Sequence, residues 1–445
     1  DEYTMLNTYY DYQLMKYGDK TLLIVLGSTK YGEKLHQVTS IKFYDSSYFI
    51  EKKDERYPIK KKISDLEENY PELLLKEIKL YKKGKNIVCE SEGNLLEGLN
   101  HLGKCLSFTV DSTLNYAAIS LPKGEILILS AFPSLLDFNK KKLKTVYLYI
   151  PEKGDSVMEI TNIKFGQIYS GKGEKKILYV STKKYLAYYE WSFDEKGNDD
   201  LDNNIQCQFI KNVSGVEESC LYAKDNGLLV ASNDNKFIYE YSNLKLNELE
   251  KDSNGNIKPE EKGKKNGDLA FEGKKKNITY LKEYIVYQIL GKTFSTLQIY
   301  DNINNFFVFI KSYAKRIISI CADNEYIYIF VEENESKKYI VKLVEKEDKK
   351  KFETFFARKF YDTATDYAKH LGYDDYKLTE IYKQQAEFEY SRGEFDKSIK
   401  AYINTINFLD PSIIIQKFLT KSKMEYLIKY LEAIESNITF KQIND

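Results

Sequence analysis

Few side chains in this sequence stand at spacings that chemistry requires. A thiolate metal site or a redox pair needs cysteines two residues apart, close enough to share one ion or one bond. Cys89, Cys105, Cys207, Cys220 and Cys321 contain no such pair, which excludes a zinc ribbon and a thioredoxin-like motif. An odd number of unpaired thiols fits a reducing compartment. His36, His101 and His370 are far apart, too far in sequence to suggest a histidine-built metal site. His36 and His101 fall in turns, and His370 sits near a helix C-terminus, where a cation meets the negative end of the helix dipole. Gly171-Lys172-Gly173-Glu174-Lys175-Lys176 is glycine-rich and basic. It lacks the spacing of a phosphate-cradling loop, and between Tyr169 and Ile177 it reads as a hairpin turn. Neither a G-x-S-x-G elbow nor an H-E-x-x-H pair nor a G-x-G-x-x-G turn occurs. Glu217-Glu218 and Asp374-Asp375 read as solvated surface or helix N-terminal charge, and Trp191 as core. The sequence therefore predicts no catalytic residue, no cofactor and no metal.

The elements that would position any site are clearer. The 445 residues carry 67 basic and 67 acidic side chains, a formal net charge of zero. Phosphate neutralisation needs a cationic face, so nucleic acid is not an expected partner. A hydrophobic share of 42% and 39 tyrosines supply a core with strand-forming aromatics. Apolar runs such as Leu22–Leu26 are too short to span a membrane. No signal peptide is visible, and a start at Asp1 rather than Met marks the chain as a fragment. The N-x-S/T triplets at Asn212, Asn277, Asn334 and Asn437 read as chance in an Asn-rich chain.

Up to about Val344 short β-branched and aromatic runs alternate with Gly, Asn, Asp and Ser. A weak unit repeats: turn, strand, polar turn, strand ending on an aromatic. Tyr17-Gly18-Asp19-Lys20 leads to Leu22–Leu26 and then Ile41–Asp45. Lys224–Gly227 leads to Leu228–Ala231 and Phe237–Tyr241, and Lys282-Glu283 leads to Tyr284–Ile289 and Leu297–Asp301. Asp111–Asn115 leads to Tyr116–Ser120 and Ile126–Leu129. This is the expected pattern of the inner hairpin of a propeller blade. Residues 1–344 are thus expected to form a WD40-like β-propeller of about seven blades, the set not necessarily complete. Insertions near 51–85, with a helical stretch at Leu73–Leu80, and near 194–204 and 247–267 are expected to be exposed mobile loops.

Residues 345–351 are unbroken charge and read as a linker. From 352 to 445 the period becomes 3.6. Phe356, Phe360, Ala364, Tyr367, Ala368 and Leu371 lie on one helical face ended by Gly372. Leu378 to Tyr390 make a second helix, ended near Gly393, and Phe395 to Leu409 a third. Asp410 and Pro411 cap and open a fourth, Ser412 to Leu419, and Met424 to Ile434 make a fifth. Short helices on short turns are the start of an α-solenoid of tetratricopeptide or clathrin-repeat type. The fold class is therefore β + α multidomain.

The helical half also carries a specific resemblance. Phe355–Ala364 with Tyr367-Ala368, then Ile381-Tyr382 to Tyr390 and Gly393-Glu394-Phe395-Asp396, resemble the opening helices of the vacuolar protein sorting-associated protein 11 family. The run Ala401-Tyr402 to Ile406, Leu409-Asp410-Pro411-Ser412, Gln416-Lys417-Phe418-Leu419 and Tyr430-Leu431-Glu432-Ala433 is similar in order and spacing. Its Pro-Ser and Lys-Phe-Leu elements lie outside the generic repeat. Phe356, Phe360, Ala364, Gly393, Phe395, Tyr402, Pro411, Phe418, Leu419 and Leu431 are expected to form the structural motif of the solenoid. In the propeller, Ile41–Asp45, Asn115–Ala118 and Leu297–Asp301 fit the family's strands loosely.

The resemblance implies a core subunit of HOPS and CORVET tethering complexes, joined to the other class C proteins. It implies action through sister subunits on Rab GTPases and SNAREs, and a peripheral place on late endosome, lysosome or vacuole membranes. It places the family's first blade before Asp1, and the rest of its solenoid and a zinc-binding RING beyond Leu431. No Cys–His set here matches a RING, so ubiquitin-ligase activity is not carried over. Two other readings share parts of the architecture: a coat or intraflagellar-transport-type scaffold, and a propeller enzyme with titratable groups at its channel mouth.

Overall fold

Side-chain period two runs through the first compact unit of the computed structural model, Asp1–Val344, and period 3.6 through the second, Glu345–Asp445. The structure describes residues 8–31, 36–45, 60–62, 74–83, 86–90, 102, 105–137, 143–150, 159–170, 173–192, 200–202, 204–214, 216, 221–224, 227–231, 238–241, 264–265, 273–303, 306–314, 316–323, 325–334 and 337–444.

In the first unit β1 (Thr8–Tyr17), β2 (Lys20–Tyr31) and β3 (His36–Asp45) begin one antiparallel sheet. The chain leaves it for the short β4 (Lys60–Lys62) and returns as β5 (Leu74–Lys83) and β6 (Asn86–Glu90). The second sheet holds β7 (Ser107–Val110), β8 (Tyr116–Leu121), β9 (Glu125–Ser130) and β10 (Lys144–Tyr149). The third holds β11 (Ile160–Ser170), β12 (Gly173–Thr182), β13 (Tyr185–Ser192) and β14 (Gln208–Ser214). The fourth holds β15 (Leu221–Lys224), β16 (Gly227–Ala231), β17 (Ile238–Tyr241) and β18 (Lys264–Lys265). The fifth holds β19 (Lys274–Leu281), β20 (Tyr284–Leu290), β21 (Ser295–Asp301) and β22 (Phe306–Tyr313). In the sixth, β23 (Arg316–Ala322), β24 (Tyr326–Asn334) and β25 (Lys337–Val344) take β4 as outer strand, with Tyr339 opposite Lys62. The first strands β1, β7, β11, β15, β19 and β23 lie side by side in that order, and β23 returns to β1. Among the described residues the result is a closed propeller of six blades.

Alternation explains how the blades stack. On β8, Ala117 and Ile119 enter one core while Tyr116 and Ala118 enter the next. On β9, Leu127 and Leu129 face the first blade while Ile126 and Ile128 face the third. Each sheet is thus apolar on both faces, and the cores lie between blades. Trp191 fills one of them at 2% exposure, edge-on to Tyr116.

Several expectations change. Among the described residues six blades form where about seven were expected, because the stretches between sheets inflate a count made at constant repeat length, and their innermost strands close a ring. The repeat read as an inner hairpin falls on the second and third strands: Leu22–Leu26 lies in β2, and Ile41–Asp45 in β3. Those strands are buried on both faces and show the most continuous apolar runs. Leu74–Lys83 is a strand, not a helix; Ile78 and Leu80, two apart, are both fully buried. Lys60–Lys62 and Lys264–Lys265, expected in loops, pair as outer strands. Leu201, in the second expected loop, is buried. Residues 51–59, 63–73, 84–85, 194–199, 203, 247–263 and 266–267 of those insertions lie outside the described residues, as does His101. His36 opens β3 rather than lying in a turn.

The innermost strands carry polar side chains for a reason. Each is the edge of its sheet, with backbone groups that no strand of its own blade can satisfy. The neighbouring blade supplies the partners. Gln13 donates to the Val110 carbonyl at 3.0 Å and accepts from its N–H at 2.8 Å. Ser107 donates to Asn162 at 3.1 Å and accepts from the Ile163 N–H, and Asn162 donates onward to the Leu221 carbonyl. Asn277 donates to the Ile318 carbonyl at 3.1 Å, and Cys321 to the Tyr12 carbonyl at 3.3 Å. The fourth and fifth blades share an apolar cluster with Leu228, Val230, Ile285 and Tyr287.

One seam also holds a charge pair. Lys176 of β12 lies 3.2 Å from Asp111, and the two side chains are 0% and 2% exposed. Asp111 further accepts from the N–H groups of Thr113 and Tyr116. Breaking a buried pair from one side strands a charge, at a cost of about 3–5 kcal/mol. Asp111→Asn, which retains an acceptor for the turn, is expected to lower stability by that order in urea unfolding. Lys176→Met in the same background should recover part of the loss.

The second unit has six helices: α1 (Asp348–Ala357), α2 (Tyr361–His370), α3 (Asp375–Ser391), α4 (Phe395–Ile403), α5 (Pro411–Phe418) and α6 (Met424–Asn444). The charged stretch read as a linker to Lys351 already forms the first turn of α1 from Asp348. The first predicted helix is two. Lys359 stands at φ +63, its N–H donates to the Phe356 carbonyl, and that of Phe360 to the Phe355 carbonyl. The rings of Phe355 and Phe360 meet at 6.4 Å. That is a Schellman closure with its apolar clasp, made with Lys where Gly is usual. Gly372 and Gly393 close α2 and α3 in the same way at φ +70 and +80. Asp374 caps α3 by accepting from the Lys377 N–H, and Asp410 caps α5 by accepting from Ser412.

Candidate functional site

The six innermost strands enclose a cavity of about 830 Å³. Gln13, Thr109, Lys164, Tyr222, Thr279 and Cys321 represent the six blades on its wall, with Asp111, Lys282 and Asp323 at strand ends. An enzyme reading needs carboxylates there with lone pairs to spare. Asp111 spends its oxygens on its own turn and on Lys176. Asp323 accepts from the N–H groups of Glu325 and Tyr326, both at 2.7 Å, and from the Tyr328 hydroxyl at 3.0 Å. Both acids build the reversal after an innermost strand. Among the described residues no group of His, Cys, Asp and Glu could hold a metal ion. Cys105 is buried in a blade core, and burial pushes its thiol up to about 12, which makes it inert.

The helical unit gathers more. Ser398 of α4 donates to the Ala386 carbonyl of α3 at 2.8 Å, and Ala386 and Ala401 are buried. Small residues let these helices touch. Beside that crossing lies a polar network that ties three helices. Tyr402 of α4 donates to Glu387 of α3 at 2.6 Å. Lys417 of α5 pairs with the other oxygen of Glu387 and reaches the Tyr402 hydroxyl at 3.2 Å. Tyr390 of α3 donates to the Lys417 carbonyl at 3.0 Å and accepts from Lys423, whose ammonium lies over the Tyr390 and Phe395 rings. Burial alone would raise the pKa of Glu387; hydrogen bonds from Lys417 and Tyr402, with the charges of Lys417 and Lys383, outweigh it and hold the carboxyl below its ordinary range. Burial and the neighbouring carboxylate push the Tyr402 phenol up.

The residues singled out by sequence take distinct places. Ala364, Tyr402 and Phe418 are fully buried. Phe356 packs on the cluster of Tyr361, Ala368 and Ile381, and Phe395 on that of Tyr402 and Phe418. Gly393 is the α3 closure and Pro411 opens α5. Phe360, Leu419 and Leu431 are 46%, 61% and 44% exposed. They do not join the buried set; Phe360 serves the turn at Lys359. Glu387 and Lys423 were not singled out, and Tyr390 only as a member of the second helix and of the resemblance, although Glu387 and Tyr390 stand three apart on α3, the spacing of neighbours on one face. Lys417 stood inside the Lys-Phe-Leu element, and its ion pair explains that element's first member. Among the described residues no helix is long and apolar enough to cross a membrane.

Comparison with known proteins covers both units. The PEP5/VPS11 N-terminal family model matches residues 33–340, and the PEP5/VPS11 clathrin-repeat model matches residues 390–440. A vacuolar protein sorting-associated protein 11 homolog of Dictyostelium discoideum is 31% identical over 145 residues, 32% of this chain and 15% of that protein. The homolog of Mus musculus is 23% identical over 346 residues, 73% of this chain and 32% of that protein. The chain thus spans about a third of the length of the mouse relative. The β-propeller domain of Myceliophteria thermophila Cps50 (Swd1) superposes with a TM-score of 0.39 at 10% identity, covering 76% of this chain and 96% of that one.

Two outcomes are expected for the helical unit. A Cβ at Gly393 meets no atom within 4 Å, so Gly393→Ala costs only the left-handed backbone, about 1–2 kcal/mol in denaturant unfolding. Glu387 binds a proton less readily folded than unfolded, so its contribution is present above its ordinary pKa and lost as pH falls through the depressed one. Protection factors for the amides of α3 and α5, with the intrinsic pH dependence of exchange divided out, should therefore fall on acidification from neutral to below about pH 4, and Glu387→Gln should blunt that fall.

Proposed function

The chain belongs to the PEP5/VPS11 family, and from that premise we propose that it works as a scaffold subunit of a membrane-tethering complex of HOPS or CORVET type. In this role it supports vesicle docking and fusion and protein transport to the vacuole or lysosome. The observation that carries the reading is the succession of two domains of one family on one chain, residues 33–340 and then 390–440. The relatives at that match are themselves named for vacuolar protein sorting.

The chemistry of the two units supports it. The acids at the propeller channel are engaged in turns and in a buried pair, and the polar groups of the helical unit hold helices together. What the molecule offers is rigid surface. A propeller presents such surface to peptides and proteins, and a solenoid presents an extended face to other chains. The protein is then no enzyme in this part of its chain and needs no cofactor there, any zinc belonging to a C-terminal RING. Its partners are the other class C subunits, and through them Rab GTPases and SNAREs. It sits in the cytoplasm, peripherally on late endosomal, lysosomal or vacuolar membranes, held there by the complex.

Affinity purification of the tagged full-length protein from its own cells, with mass spectrometry of what accompanies it, tests the proposal. Recovery of the other class C subunits and a Sec1-like SNARE chaperone is expected. Recovery of coat or ciliary subunits instead, or of a free monomer, overturns it.

A further inference from the structure

Outer strands of blades are commonly protected by brevity or by charge. β4 and β18 are short and entirely lysine, and β10 opens on Lys144. β22 of the fifth blade is longer, and its one charged residue, Lys311, follows an apolar run. Its run Phe306-Phe307-Val308-Phe309-Ile310 has five apolar residues in succession, none of them buried, with Val308 37% and Ile310 57% exposed. Among the described residues β22 is hydrogen-bonded to a strand on one side only.

The geometry narrows what this edge can accept. A bulge at Val308 interrupts the pairing with β21, but from Phe309 opposite Ile299 to Tyr313 opposite Ser295 the register is unbroken. Half the backbone N–H and C=O groups of that stretch point away from β21, and an extended backbone alongside satisfies them in register. A helix or an acyl chain cannot. Side chains alternate. Phe309, Lys311 and Tyr313 share one face, with the Lys311 ammonium 5.3 Å from the Tyr313 ring centroid. Ile310 and Ser312 share the other, where Ser312 bonds Thr296 at 3.1 Å. The edge therefore presents one exposed aliphatic side chain and, next to it on the opposite face, one ammonium. β22 holds no acidic residue, so a second copy paired strand to strand brings no carboxylate to Lys311.

We infer that the Phe309–Tyr313 edge of β22 is a docking site for an extended peptide segment of another protein, added as a fifth strand to the blade. An aliphatic residue of the segment lies against Ile310, and its neighbour in sequence is acidic and faces Lys311. Such a site lies on the propeller unit and goes beyond a place in a tethering complex.

The probe is a fluorescein-labelled peptide of about eight residues in which Val alternates with Thr and one Glu stands beside a Val. Its binding to the full chain is followed by anisotropy, and the site located by amide exchange. Binding with slowed exchange at Phe309–Tyr313 is expected. Ile310→Lys should weaken it about tenfold by placing a charge on the edge. Lys311→Glu should weaken it roughly threefold, and a peptide with Lys in place of Glu should restore it on that variant. Equal affinity for wild type and Ile310→Lys, or protection elsewhere than β22, overturns the inference. So does a chain that self-associates through β22 in sedimentation without peptide.

Discussion

An edge strand is incomplete by itself, and the propeller contains six of them facing one axis. Each innermost strand exposes backbone groups that its own blade cannot pair. Leaving such groups buried and unpaired is costly, so the ring holds together only where one blade supplies partners to the next. Gln13, Ser107, Asn162, Asn277 and Cys321 do so across successive seams. The apolar cores between blades bring the sheets together, but area burial is indifferent to register. The seam bonds, most of them between one side chain and one named backbone group, fix how far along its neighbour a blade sits. The Lys176–Asp111 pair acts in the same sense, since a desolvated charge pair tolerates little displacement.

That division of labour decides what could be read in the sequence. Strands buried on both faces are continuous in Leu, Ile, Val and Tyr, as in β2, β8 and β20, and they were legible. The innermost strands trade apolar residues for Gln, Ser, Asn and Thr, and so resemble turns. β5 was misread because Leu73 to Leu80 can be drawn with helical spacing when only its apolar members are counted, whereas the two fully buried positions, Ile78 and Leu80, follow period two. In the helical unit Gly372 and Gly393 announced their closures, because glycine is the residue without a penalty at positive φ. Lys359 makes the same closure without the signal; only the Phe355–Phe360 clasp marks it, and two phenylalanines five apart are not distinctive. The network of Glu387, Tyr402 and Lys417 was illegible because its members lie on three helices, of which α3 and α4 touch at Ala386 and Ser398.

Both units commit their ionisable groups to architecture. At the channel mouth Asp111 and Asp323 accept from the backbone of their own turns. In the helices Asp374 and Asp410 are caps, and Glu387 is a tie. Bonds of this kind fix turns and helix ends, and rigidity is what a surface needs in order to hold partners in fixed geometry, since it limits the ordering cost of association.

The path of the chain at the end of the propeller has a mechanical consequence. The helical unit follows directly from Val344, the last residue of β25. β25 is not an edge: β24 pairs with it on one side and β4, which comes from between β3 and β5, pairs on the other. Tension drawn along the chain from the helices thus enters the propeller at a strand clamped between two ladders, one of them anchored in the first blade. Extracting β25 means shearing both rows of bonds together instead of peeling one from an open border.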